Sequence, residues 1–141
     1  MRRPLARQQR RGSATTEFAL WVPLILMLIS GMVDFSWYMS RYQNIVRIAR
    51  DSARTGAAVY EAPGDVPGEF TVPAANAHAL ASFEMMKMKC EAPDCIITVS
   101  YREDPFKQLQ VEILYEFEPL IGLYKFTPNL YSRFVMLHEF Q

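Results

Sequence analysis

The chain has little of what most enzyme and metal sites are built from. Its 141 residues include two cysteines and two histidines. His78 and His138 stand far apart without zinc-finger spacing, and Cys90 and Cys95 alone are too few ligands for a metal. The six glycines form no phosphate-cradling run, and no serine stands in a nucleophile elbow. With no catalytic constellation, a membrane-tethered enzyme is the weakest function class, the chain is read as no enzyme, and no cofactor is expected. Acid is missing from the start of the chain. Five arginines (Arg2, Arg3, Arg7, Arg10, Arg11) precede Gly12 with no acid among them. The remainder carries 10 basic and 15 acidic residues, a net of −5 inside a formal total of zero.

A basic tail can contact nucleic acid. This one abuts an apolar stretch, so the expected role is to hold the N-terminus in the cytoplasm, with no nucleic-acid partner. From Phe18 to Ser40 a single charge, Asp34, interrupts the apolar run. A helix of that length is about 34 Å long, against about 30 Å of bilayer core. Trp21 lies near one end and Trp37, Tyr38 and Tyr42 near the other, as interfacial aromatics do. The reading is a single-pass protein of the inner (cytoplasmic) membrane, with its C-terminal part periplasmic or extracellular. A secretory signal peptide would have a shorter apolar region and a small-x-small cleavage site, and Asp34-Phe35-Ser36-Trp37-Tyr38 is a poor one. A plain uncleaved signal anchor stays open. Pro23 is tolerated in a membrane helix. Asp34 reads either as an interfacial acid or as a contact with another subunit, and Gly31 as a packing position.

The residues Arg10-Arg11-Gly12-Ser13-Ala14-Thr15-Thr16-Glu17-Phe18 belong together. A basic leader ends in glycine, four small residues follow, then a glutamate, and phenylalanine opens the apolar run. This order resembles the type IV prepilin processing site, where a membrane peptidase cuts after glycine and the glutamate becomes the fifth mature residue. Farther on, Glu17-Phe18-Ala19-Leu20-Trp21-Val22-Pro23-Leu24, Gly31-Met32-Val33-Asp34-Phe35 and Ala49-Arg50-Asp51-Ser52-Ala53-Arg54-Thr55-Gly56-Ala57 resemble the TadE-like family. Those proteins are pseudopilins or minor pilins of the tight-adherence (Flp) pilus system. The resemblance covers about the first 58 residues, and Pro119-Leu120-Ile121-Gly122-Leu123 also looks like a family segment. It implies a structural subunit supporting pilus assembly and surface adhesion, cut after Gly12 by a prepilin peptidase. Its partners would be that peptidase, other pilin or pseudopilin subunits, the inner-membrane assembly platform and the lipid bilayer. It also implies that Glu17 of one subunit neutralises the new Ser13 amine of the next, since neither charge is cheap in hydrocarbon unless paired. The alternative is an uncleaved envelope scaffold or assembly subunit of a secretion machine.

Past the span, Ile45, Ile48, Ala49, Ser52, Ala53, Gly56 and Ala57 recur at three- and four-residue steps, with Arg47, Arg50, Asp51 and Arg54 mainly on the other side. One long helix is expected from about Ser13 to Tyr60. Pro63, Gly64, Pro67, Gly68 and Pro73 read as a loop, and Ala74 to Lys89 as a second helix with Leu80, Phe83 and Met86 or Met88 inward. Methionine as core filler outweighs soft-metal binding for Met85, Met86 and Met88. In an exported domain Cys90 and Cys95 are expected to form a disulfide. Strands are expected at Ile96–Tyr101, Leu109–Phe117 and Leu130–Phe140, the second alternating almost strictly. The expected organisation is a leader (1–12), a long helix (13–60, spanning at 18–40) and a small exported domain (61–141). The fold class is α+β, with an antiparallel sheet of three or four strands and the helices on one face. A domain of roughly 80 residues buries only a modest core and leans on something else.

Overall fold

Forty-nine consecutive residues, Gln9–Ala57, form one helix, α1. The computed structural model describes residues 9–59, 64–103, 106–122 and 128–137, with backbone alone for 9–13. At 1.5 Å per residue α1 is about 74 Å long. It starts four residues before the expected Ser13, because Gln9, Arg10 and Arg11 are good helix formers and the single Gly12 after them does not end the helix. Pro23 sits inside the helix without ending it.

α1 changes character along its length. Between Phe18 and Phe35 almost every large apolar side chain is exposed. From Ile45 onward one face is buried: Ile45, Ile48, Ala49, Ser52 and Ala53 lose essentially all solvent contact. Those are the positions at three- and four-residue steps, while Arg47, Arg50 and Arg54 stay outside. Arg47 meets Asp51 one turn on at 3.6 Å, an exposed pair worth well under about 1 kcal/mol.

The second helix, α2, is Thr71–Met85. It begins earlier than expected, because Pro73 falls in its first turn. The first N–H groups of a helix have no intrahelical acceptor, so a proline there loses nothing. The buried face of α2 is Thr71, Ala75, Ala79, Ser82 and Phe83. Leu80, expected inward, is 46% exposed, one step off that stripe. Met88 fills the core, Met86 packs against it, and Met85 lies in solvent. The helix ends four residues before Lys89. Met88 N–H donates to Phe83 C=O at 2.9 Å and Lys87 N–H to Glu84 C=O at 2.9 Å. Lys87 takes the left-handed backbone (φ 53°) this closure needs.

The sheet has the expected number of strands among the described residues: β1 (Cys95–Arg102), β2 (Gln108–Glu116) and β3 (Asn129–Leu137). They pair antiparallel in chain order β1-β2-β3. The inward row of β2, Leu109, Val111 and Ile113, is fully buried. Val111 lies opposite Val99 and Phe134, and Ile113 opposite Ile97 and Ser132. Both helices cover this one face. The fold is α+β, a long apolar N-terminal helix with a second helix and a three-stranded antiparallel sheet. The last residues of the expected third strand lie outside the described residues. Cys90 and Cys95 are joined in a disulfide that ties the end of the α2 connection to β1. So short a loop contributes about 2 kcal/mol by the chain-entropy estimate.

Gly56 lies at a close approach in the core. A Cβ there would stand 2.5 Å from Leu109 Cδ2, 2.8 Å from Ala75 Cβ and 3.0 Å from the Thr71 carbonyl. Gly56→Ala is expected to cost about 1–3 kcal/mol, because backbone and a strand side chain must both give way. Lys87→Gly is expected to gain about 0.5–1 kcal/mol by relieving a left-handed lysine. Thermal unfolding of the two variants, read by circular dichroism, checks both signs.

Candidate functional site

Three places on the molecule carry polar or apolar groups that could do work. The first is between the helices. His78 Nδ1 lies 3.4 Å from Ser52 Oγ and 3.5 Å from Ser82 Oγ. Serine beside histidine is a nucleophile pattern. Ser52 is fully buried, so its hydroxyl can reach no substrate, and the trio instead joins α1 to α2 inside the core. Among the described residues no group of three or more His, Cys, Asp or Glu converges as a metal site. His138 lies outside the described residues.

The second is the outward face of the sheet. Glu112 Oε1 accepts from Gln110 Nε2 (2.7 Å) and from Tyr131 Oη (3.1 Å), and Arg133 Nε lies 3.5 Å away. Arg133 also donates to Gln110 Oε1 at 2.7 Å. The alternation of β2 and β3 puts these four side chains in adjacent rows. The ring links two strands across a half-exposed surface.

The third is the N-terminal part of α1, where the sequence places its site residues. Gly12 and Ser13 lie on the α1 backbone, one turn before Glu17 and Phe18. The Ser13 and Glu17 backbone positions are four residues apart, about 6 Å along the helix axis. Phe18 is 69% exposed and opens the apolar stretch. α1 is long and apolar enough to cross a membrane, and almost nothing in this stretch is covered by the rest of the chain. One long apolar N-terminal helix of this kind fits a single-pass membrane protein. Pro23 is exposed and Gly31 half-buried. Ser30, which sequence reasoning passed over, is buried, and its Oγ donates to the Met27 carbonyl at 2.8 Å. That local bond is how a serine sits in an apolar helix without a stranded hydroxyl.

Asp34 has a partner that its position in the run did not suggest. Its Oδ1 accepts the backbone N–H of Ile121 at 2.9 Å, across a separation of 87 residues. Its Oδ2 is buried with no hydrogen-bond partner among the described residues. The segment after β2 is brought there by Phe117, buried and edge-on to Tyr38 with ring centroids 5.3 Å apart. Next to it Arg41 lies over the Trp37 ring at 4.4 Å. The only prior sign of this contact was the pair of unusual segments themselves, an acid in an apolar run and an apolar Pro119–Gly122 stretch.

The Tyr131 phenol is held above its ordinary pKa of 10.0, first by partial desolvation, then by its hydrogen bond to Glu112 and the charge of that carboxylate, with Arg133 opposing. A raised folded pKa means a contribution present below pH 10 and lost as pH rises from there through the folded value. Phenolate absorbance, taken as wild type minus Tyr131→Phe, is expected to titrate above 10, and Glu112→Gln to bring the midpoint down.

A family model described as TadE-like protein matches residues 12–54. No curated protein and no solved structure matches the chain.

Proposed function

We propose that this chain, TadE-like over residues 12–54, is a minor pilin or pseudopilin that supports assembly of a tight-adherence (Flp-type) pilus and surface adhesion. The family associates the chain with that pilus system as a structural component, and with other pilus components and the membrane as partners. In the proposed maturation a prepilin peptidase removes residues 1–12 and Ser13 becomes the N-terminus. The arginine-rich leader stays in the cytoplasm, α1 crosses the inner membrane, and the α+β domain stands on the far side. Glu17 then pairs with the Ser13 amine of a neighbouring subunit. Two opposite charges in hydrocarbon are tolerable only as a pair, and breaking a buried pair from one side costs about 3–5 kcal/mol. That penalty would set the axial register between subunits. Pro23, Gly31 and Asp34 serve the packing of this helix among its neighbours.

The observation that carries the reading is the Gly12, Glu17 and Phe18 spacing at the lip of the apolar stretch of α1, whose large side chains are almost all exposed. A second reading, an uncleaved single-pass scaffold or assembly subunit of a secretion machine, draws support from the continuity of α1. The helix runs from Gln9 straight through Gly12–Ser13, so a peptidase must unwind it to cut.

Mass spectrometry of the membrane-extracted protein separates the two. In cells carrying the peptidase the expected N-terminus is Ser13, and an intact Met1 overturns the maturation. Glu17→Ala is expected to abolish pilus assembly while leaving the domain folded. Normal assembly of that variant favours the scaffold reading.

A further inference from the structure

The contact between Asp34 and Ile121 raises a question of depth. On α1 the side chain beside Asp34, Phe35, is 64% exposed, and Met32 is 61% exposed. If lipid covers the apolar stretch of α1, it covers these two, so Asp34 lies at acyl-chain depth. It is roughly one helical turn, about 5–6 Å, below the Trp37–Tyr38 belt. The turn docked against it presents Leu120, 61% exposed, and Ile121, 46% exposed. Their neighbour Glu118 lies with Leu120 in a cleft that Trp37 and Arg41 also line, beside the aromatic belt. Charge above and apolar side chains below is the profile of a segment that dips into a bilayer.

Irregular backbone at that depth is costly, because each unpartnered N–H or C=O loses its water. Asp34 removes one such cost by accepting the Ile121 N–H. We infer that the Pro119–Gly122 turn inserts its Leu120 and Ile121 side chains among the phospholipid acyl chains of the leaflet on the domain's side, with Asp34 as the fixed acceptor that lets this backbone enter. The domain, already packed on α1, is thereby held on the membrane at a second point. Asp34 acts here as a positioning residue. The inference rests on the proposed crossing of α1, and the test below separates the two.

Full-length protein in phosphatidylglycerol–phosphatidylcholine vesicles carries one spin label at a time, on Met27→Cys in the middle of the apolar stretch, Leu120→Cys on the turn, or Thr98→Cys on the outward sheet face. Relative collision with oxygen and with a water-soluble nickel complex reports depth. Labels at 27 and 120 are expected to read lipid and the label at 98 water. Lipid at 27 with water at 120 overturns the inserted turn and leaves the crossing intact. Water at 27 overturns the crossing and the inference with it. A label at 120 shielded from both reagents and dipolar-coupled to another label means that a second copy covers the turn, which overturns the lipid assignment. Asp34→Asn keeps an acceptor oxygen and is expected to keep the lipid reading at 120, whereas Asp34→Leu is expected to lose it. Retention in Asp34→Leu overturns the role of Asp34. An intact Cys90–Cys95 disulfide and an unchanged circular dichroism spectrum establish that each variant is folded.

Discussion

A peptide N–H or C=O that leaves water must find its partner inside the protein, at a cost of several kcal/mol where it does not. The long helix α1 meets that requirement over Phe18–Phe35 with its own ladder, which is why one helix can stand apolar and almost wholly uncovered there. The two apparent faults in this stretch obey the same rule. Ser30 returns its hydroxyl to the Met27 carbonyl, and Asp34 takes up an N–H from the turn after β2.

The domain depends on a different property of the same helix. Above the aromatic belt α1 narrows to small residues on one side, Ala49, Ala53 and Gly56, and α2 answers with Ala75 and Ala79. Small side chains let two backbones and a strand approach within van der Waals contact, so a domain of this size still obtains a closed core. Its large contributors are few: Phe83, Ile45, Ile48, Leu109, Ile113 and Leu130. The Cys90–Cys95 disulfide ties down the connection between α2 and β1. One helix thus joins an exposed apolar stretch to a core-packing face, and the change occurs within a few residues of Trp37.

Residue patterns told more about the elements than about their contacts. Strand alternation in Leu109, Val111 and Ile113 named the inward face of β2, because a period of two leaves no second choice of face. The step pattern of Ile45 to Ala57 named the buried face of α1 for the same kind of reason, with a period of 3.6. α2 was harder. It is alanine-rich on all sides, so composition could not say which side faced inward, and Leu80 drew the choice one position off. Pro73 looked like the end of a loop, since a proline in a first turn and a proline before a helix read alike in one dimension.

The sequence by itself determined the crossing-length apolar run, the arginine-rich start of the chain, the Gly12 and Glu17 spacing, the pairing of the only two cysteines and the period of β2. These are local properties of composition and spacing, written in neighbouring residues. Only the tertiary structure decided that Asp34 meets Ile121, that Gly56 has no room for a side chain, and that Glu112 gathers Gln110, Tyr131 and Arg133. Each of those joins segments distant in the chain. No local pattern encodes which of several possible acceptors or small residues the packed backbone will bring within 3 Å.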